Sequence, residues 1–316
     1  MRIHEELSKY SSSSDSVITI GVLDGVHRGH AHLLKRLVSE ARRTGRQSVV
    51  VTFREHPSSI VNVSYKPVYI TSLQERIDLI LALGVDKVVP VTFDHEFSMI
   101  PTKDFIALLK GYMRMQTLVV GPDFAMGHMR QGDLITLRRL SDKMHFSLHV
   151  VDNLERSMRP VKSTTIRYAL ESGDVMEAAK LLGRNFKLRG KVISGDRRGK
   201  TLGFPTANLD VGKDMAVPAN AIYATWAYVD KIRYMSSTSI GTRPTFGKNE
   251  RTIEAYLIDF EGDLYGEELC LEFVDQLRPE KRYEDVKELL LQIEADVSKT
   301  KEILGSLHSI HNNREK

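Results

Sequence analysis

A chain of 316 residues is longer than one ordinary domain, so two hydrophobic cores are expected. Its composition, 41% apolar and 27% charged, excludes disorder, and a net charge of +4 spread along the chain suits small anionic substrates better than nucleic acid. A single cysteine, Cys270, excludes an intrachain disulfide and argues against a thiolate-built metal site.

Met1 to Ser16 is polar, ends in a serine run and lacks the apolar centre of a signal peptide. No stretch reaches the roughly eighteen apolar residues that a membrane span needs, so a cytoplasmic protein is expected. From Val17 to about Val151, β-branched runs such as VITIG, SVVVTF, KVVPVTF and TLVVG alternate with amphipathic segments such as HLLKRLVSEARRTG and SLQERIDLILALG. That alternation predicts βαβ units around a parallel sheet with helices on both faces, and places ligands beyond the carboxyl ends of its strands. Thr164 to Leu182 reads as one helix or as two short ones broken at Gly173 and Asp174. From Phe186 to Leu277, short alternating strands separated by Gly, Pro, Asp and Asn predict an antiparallel barrel or sandwich, with Cys270 as a buried strand residue. Helical spacing returns from Tyr283 to His308. The change of texture near Gly183 to Phe186 divides the chain into 1–184 and 185–316.

The segment from Gly21 through Asp24, His27 and Gly29 to His30 joins the first strand to the first helix. A helix N-terminus offers unpaired N–H groups and a positive dipole end, and Gly29 lets the backbone approach an anion. Two imidazoles three residues apart can donate to one phosphate, which fits in-line attack at an α-phosphate and nucleotidyl transfer. Zinc binding by His27 and His30, or a plain tight turn with surface histidines, are the competing readings. In the second half, Gly195, Gly199, Lys200, Thr201, Gly203, Pro205, Thr206 and Asn208 lie in a glycine-punctuated basic loop that is not a Walker A loop. Glu254 stands mid-strand among apolar neighbours, either as an outward-facing strand residue or as a base.

The first segment resembles the His-x-Gly-His signature of nucleotidyltransferases. The segments Thr52 to Pro57, Gly121 to Asp133 (with Asp123) and Ser163-Thr164-Thr165-Ile166-Arg167 resemble three further motifs of one family, the prokaryotic bifunctional riboflavin kinases/FAD synthetases. Pro205-Thr206-Ala207-Asn208, Gly241 to Phe246, Glu254, Asp259, Asp263 to Gly266, Arg278, Glu280 and Tyr283 extend the resemblance over nearly the whole chain.

The resemblance implies a Rossmann-like nucleotidyltransferase domain followed by a barrel of riboflavin kinase type with a C-terminal helix. It implies Glu254 as the kinase base, Thr206 and Asn208 as Mg²⁺ ligands, and ATP, riboflavin, FMN and FAD as ligands, with no nucleic acid. Gly21, Asp24, Gly29, Asp123, Ser163, Thr164 and Arg167 would bind nucleotide or flavin in the first domain, and the loop from Gly195 to Pro205 would do so in the second. The family usually has other residues where Val22, Leu23, Glu55, Met126 and Lys162 stand. A chain that keeps only the kinase, or an RNA-acting relative of the class I synthetases, are the alternatives, and self-association is left open.

Overall fold

The computed structural model describes residues 2–62, 64–152, 161–195, 199, 202–245 and 248–312, apart from the side chains of 243–245, 248–250 and 307–312. Contacts divide the chain into two units, Met1–Ser163 and Thr164–Lys316.

In the first unit, β1 (Ser16–Ile20), β2 (Gln47–Phe53), β3 (Lys87–Val91), β4 (Met115–Val120) and β5 (Ser147–Val150) form a five-stranded parallel sheet in the order β3-β2-β1-β4-β5. Successive strand residues point to opposite faces, and here both faces are buried. Ile18, Ile20, Val49, Val51 and Leu118 join one core with α1 (Arg2–Lys9), α6 (Thr102–Met113) and α7 (Leu134–Met144). Val17, Val50, Val88 and Val119 join the other core with α2 (Arg28–Thr44) and α4 (Leu73–Ala82). Each such side chain contributes about 1.5–3 kcal/mol of burial, which is why the strands read as continuous apolar runs. Two short helices, α3 (Pro57–Val61) and α5 (His95–Ser98), follow β2 and β3.

Besides the short α3 and α5, two longer helices of this unit were not expected from the sequence. Helix α1 occupies the polar N-terminal stretch because Ile3 and Leu7 share one face and bury it, while Glu6 accepts from the Thr92 N–H (2.7 Å) and hydroxyl (2.8 Å). Helix α7 is capped by Asp133, whose carboxylate accepts from the Thr136 N–H at 2.8 Å, and it buries only Leu137.

The second unit opens with two short helices, α8 (Ser163–Glu171, of which Ser163 belongs to the first unit) and α9 (Val175–Leu182). They are parted at Gly173 (φ 82°), and Asp174 caps the second. Six antiparallel strands follow: β6 (Phe186–Ile193), β7 (Ala207–Asp210), β8 (Ala221–Val229), β9 (Ile232–Thr245), β10 (Lys248–Leu257) and β11 (Glu268–Pro279). They close into a barrel in the order β10-β7-β6-β11-β8-β9, which leaves no open sheet edge. Phe186, Tyr223 and Phe273 pack together in its core, with ring centroids 5.3–5.8 Å apart for the pairs made by Phe273. Cys270 is buried on β11.

The long helix α10 (Val286–Asn312) lies against β8, β9 and β11, with Leu304 packed on Ala224 and Trp226. Contacts place α8 and α9 with the barrel: α9 packs on β6 and β11, and the Ala219 N–H donates to the Leu170 carbonyl at 2.9 Å. The change of sequence texture near Gly183 to Phe186 coincides with the start of β6.

Candidate active sites

In the strand order β3-β2-β1-β4-β5 the chain turns one way after β1 and the other way from β4, so the carboxyl end of β1 is the switch point where a ligand crevice opens. The turn leaving β1 is strained. Leu23 (φ 51°), Gly25 (φ 78°) and Val26 (φ 38°) all take positive φ, which for a leucine and a β-branched valine is costly and persists only where the surroundings enforce it.

Those surroundings are in place. The Asp24 carboxylate, 3% exposed, accepts from the Ile70 N–H (3.0 and 3.1 Å) and the Thr71 N–H (3.1 Å). The Gly25 N–H donates to the Thr71 hydroxyl at 3.0 Å, and Ser163 Oγ donates to the Asp24 carbonyl at 3.0 Å. Asp24 is therefore engaged in holding the turn.

The turn delivers His27 as the N-cap of α2. Its Nδ1 accepts from the His30 N–H at 3.3 Å, and its ring stacks on that of His30 with centroids 3.6 Å apart and planes inclined by 17°. A side chain at position 29 would press on the His27 ring, within 3.1–3.2 Å of a β-carbon there. Burial, then the neighbouring His27 and Arg76, hold the His30 imidazole well below its usual range, so it is neutral at pH 7. His30 Nδ1 is shut off from solvent and meets no hydrogen-bond partner among the described residues.

Gly21 lies where β1 ends, its N–H donating to the Val51 carbonyl at 3.0 Å. Asp123 is exposed in the loop after β4, the strand next to β1, with its carbonyl 3.5 Å from Arg130 Nη2. Thr164 and Arg167 lie in α8, on the second unit's side of the division. Two contributors escaped the sequence reading: Thr71, and Arg76 on α4, whose Nη1 donates to the Val22 carbonyl at 2.6 Å. The signal for Arg76 was its place one turn before Ile80, the two being the buried residues of α4.

The departures from the family pattern fall into two kinds. Leu23 and Met126 are buried in the two cores, while Glu55 and Lys162 are exposed. Val22 packs partly buried against one core.

In the barrel, antiparallel pairing sets Glu254 of β10 directly opposite Asn208 of β7. Ile253, Ala255 and Leu257 are buried, so alternation turns the half-buried Glu254 to the other strand face, where Thr206 Oγ1 donates to its carboxylate at 3.3 Å. A side chain at Gly195 would strike the Asn208 amide, and one at Gly199 would strike the Phe204 carbonyl; only glycine permits that closeness.

Thr206 also lines a cleft of about 640 Å³ together with Gly199, Pro205, Ala207, Ala255, Leu257 and the segment Phe260 to Tyr265. Thr206 thus stands between the cleft and Glu254. Gly203 is exposed in the turn, with φ 85°. Lys200 and Thr201 lie outside the described residues. Among the described residues no three His, Cys, Asp or Glu side chains gather in a metal-holding group. The neutral oxygens of Thr206 and Asn208, beside one carboxylate, suit a hard cation that takes its remaining ligands from water and phosphate.

Fold and sites together define a chain of two units, a parallel α/β unit with a histidine pair at its switch point and a closed barrel with Thr206, Asn208 and Glu254 on its wall. The family model for FAD synthetase matches residues 9–165, and that for riboflavin kinase matches residues 182–304. Curated proteins named bifunctional riboflavin kinase/FMN adenylyltransferase are similar over nearly their whole length. The one from Listeria monocytogenes is 32% identical over 93% of this chain and 94% of its own, and that from Escherichia coli K12 is 33% identical over 92% and 93%. The Bacillus subtilis protein of that name is 34% identical over 89% and 90%. A crystal structure described as a macrolide-efflux protein from Streptococcus pneumoniae shares the fold, with a TM-score of 0.86 and 30% identity over 93% of this chain and 96% of that one. The chain belongs to the bifunctional riboflavin kinase/FMN adenylyltransferase family. No helix among the described residues is long and apolar enough to cross a membrane.

Proposed function

We propose that this chain phosphorylates riboflavin to FMN at the barrel and adenylylates FMN to FAD in the α/β unit, using one ATP for each step. The observation that carries this reading is that a single chain holds both the His27–His30 pair at the switch point and the Thr206–Glu254–Asn208 group on the barrel wall. Its departures from the family pattern lie in cores or on exposed positions and leave both groups intact. Functionally, residues 1–184 are assigned to the adenylyltransferase and 185–316 to the kinase.

At the first site a phosphate oxygen of FMN attacks the α-phosphorus of ATP in line, and pyrophosphate leaves. Because His27 Nδ1 is an acceptor, a neutral His27 carries its proton on Nε2 and donates from there. With the neutral His30 and the N–H groups of the first turn of α2, it stabilises charge on the phosphates without being consumed. Gly21, Gly29, Asp123, Ser163, Thr164 and Arg167 frame the nucleotide and flavin, and Asp24 acts through the turn it holds.

At the second site Glu254 takes the proton of the riboflavin 5′-hydroxyl as that oxygen attacks the γ-phosphorus, and ADP leaves. Thr206 and Asn208 would hold Mg²⁺, which when bound neutralises charge on the β- and γ-phosphates. Gly195, Gly199, Lys200, Thr201, Gly203 and Pro205 are assigned to binding ATP or flavin. The cytoplasm, where ATP and flavins meet, is the assigned compartment. The test is to incubate the chain with riboflavin, ATP and Mg²⁺ and to separate the flavins over time. FMN followed by FAD is expected, and FMN without FAD would overturn the reading of the first site.

A further inference from the structure

Among the described residues Arg76 is the one large cationic side chain that is fully buried, at 1% exposure, and burial pulls its guanidinium below the ordinary arginine range. A charge placed there costs stability unless its position is used. It makes a single short side-chain bond, from Nη1 to the Val22 carbonyl at 2.6 Å, while its Nε meets no hydrogen-bond partner among the described residues. The same carbonyl accepts from the fully buried Thr52 hydroxyl at 3.1 Å, so both of its lone pairs are held from two different elements, β2 and α4. Val22 immediately precedes the positive-φ run of Leu23, Gly25 and Val26, and beyond that run stand His27 and His30. Thr71, just ahead of α4, grips the same turn through the Gly25 N–H and the Asp24 carboxylate.

We propose that Arg76 is a positioning residue for adenylyl transfer: by fixing the Val22 carbonyl it holds the strained turn that aims His27 and His30 at the reacting phosphate. This rests on the reading of the first site as the adenylylation site. The charged and titratable groups that interact electrostatically with Arg76 are Asp24, Tyr69 and His30.

The test compares the unsubstituted chain with Arg76→Met, Arg76→Lys and Thr71→Val, measuring FAD formation from supplied FMN and riboflavin phosphorylation on the same samples. Arg76→Met is expected to lower kcat for adenylylation by roughly 10- to 100-fold, about the worth of a lost charged hydrogen bond, with KM for ATP and FMN changed less than about threefold. Riboflavin phosphorylation is unchanged, and Arg76→Lys, which keeps a buried donor and charge, recovers kcat to within about fivefold. Wild-type kcat in Arg76→Met, a loss confined to KM, or a Lys variant no better than Met overturns the proposal. If Arg76→Met does not fold, Thr71→Val decides: a kcat loss of about threefold or more at constant KM supports the turn-holding role, and wild-type kcat overturns it. If the unsubstituted chain makes no FAD from FMN, the reading of the first site itself fails. An active wild type beside an unimpaired Arg76→Met removes only the positioning role.

Discussion

At His30 the protonation state follows from where the ring sits. Burial is the largest influence, and the neighbouring His27 and Arg76 act in the same direction, so the folded chain keeps the imidazole neutral where a free histidine would titrate, near pH 6.5. The sign of the consequence is fixed. Above about pH 6.5 neither the folded nor the unfolded state binds the proton; below it the unfolded state does and the folded state resists, so stability falls as the pH falls. Thermal unfolding of the N-terminal unit between about pH 7 and pH 5 is expected to show that slope, and His30→Asn is expected to flatten it. The ring signals of His30 should not titrate across the physiological range in ¹⁵N spectra, whereas His27→Asn, which removes one of the depressing neighbours, should bring the His30 midpoint upward. An ordinary midpoint for His30 in the unsubstituted chain would contradict the burial argument.

At the scale of elements, both sites depend on short stretches of backbone that only certain residues permit. Gly25 takes φ 78°, and a β-carbon there would come within 3.1 Å of the Ile70 side chain. Gly25→Ala is therefore expected to destabilise the unit by about 1–2 kcal/mol in denaturant unfolding and to depress adenylylation with it. On the barrel, Arg278 of β11 binds Asp296 of α10 through Nη2 at 2.7 Å and Nε at 2.9 Å, with the aspartate almost entirely buried. Asp296→Ala should cost roughly 2–4 kcal/mol of barrel stability, because it strands a partly buried guanidinium.

Much of this architecture was legible from the chain itself. The β-branched runs of β1 to β4 and the turn at His27 announced themselves because strands buried on both faces must be continuously apolar. The grip on that turn was not legible, since Thr71 and Arg76 lie more than forty residues away in sequence and act through contacts that no local period encodes. Helix α1 was hidden for a related reason: its apolar face rests on only two fully packed side chains, Ile3 and Leu7. Glu254 lay between these cases. Its alternation correctly turned it away from the packed face, but only the pairing opposite Asn208 and the hydroxyl of Thr206 show that this outer face is itself covered.

For the whole molecule, the side chains that hold each proposed catalytic group in place belong to the same unit as that group. His27 and His30 draw their support from residues up to Ser163, while Glu254 draws on Thr206 and Asn208 within the barrel. Two activities built this way should be separable by single substitutions. Glu254→Gln removes the proposed base while keeping the size and a hydrogen-bonding end, so riboflavin phosphorylation is expected to fall by about 10²- to 10⁴-fold. The same protein given FMN and ATP should still form FAD at the unsubstituted rate. His27→Asn with His30→Asn removes the proposed charge-stabilising donors at the switch point, so FMN should accumulate from riboflavin while FAD formation drops by about 10²- to 10³-fold. Chromatography of the flavins, with riboflavin and FMN supplied in turn, reads all four rates. A single substitution at one of these catalytic groups that silenced both reactions in a folded protein would contradict the assignment of separate catalytic groups to the two reactions.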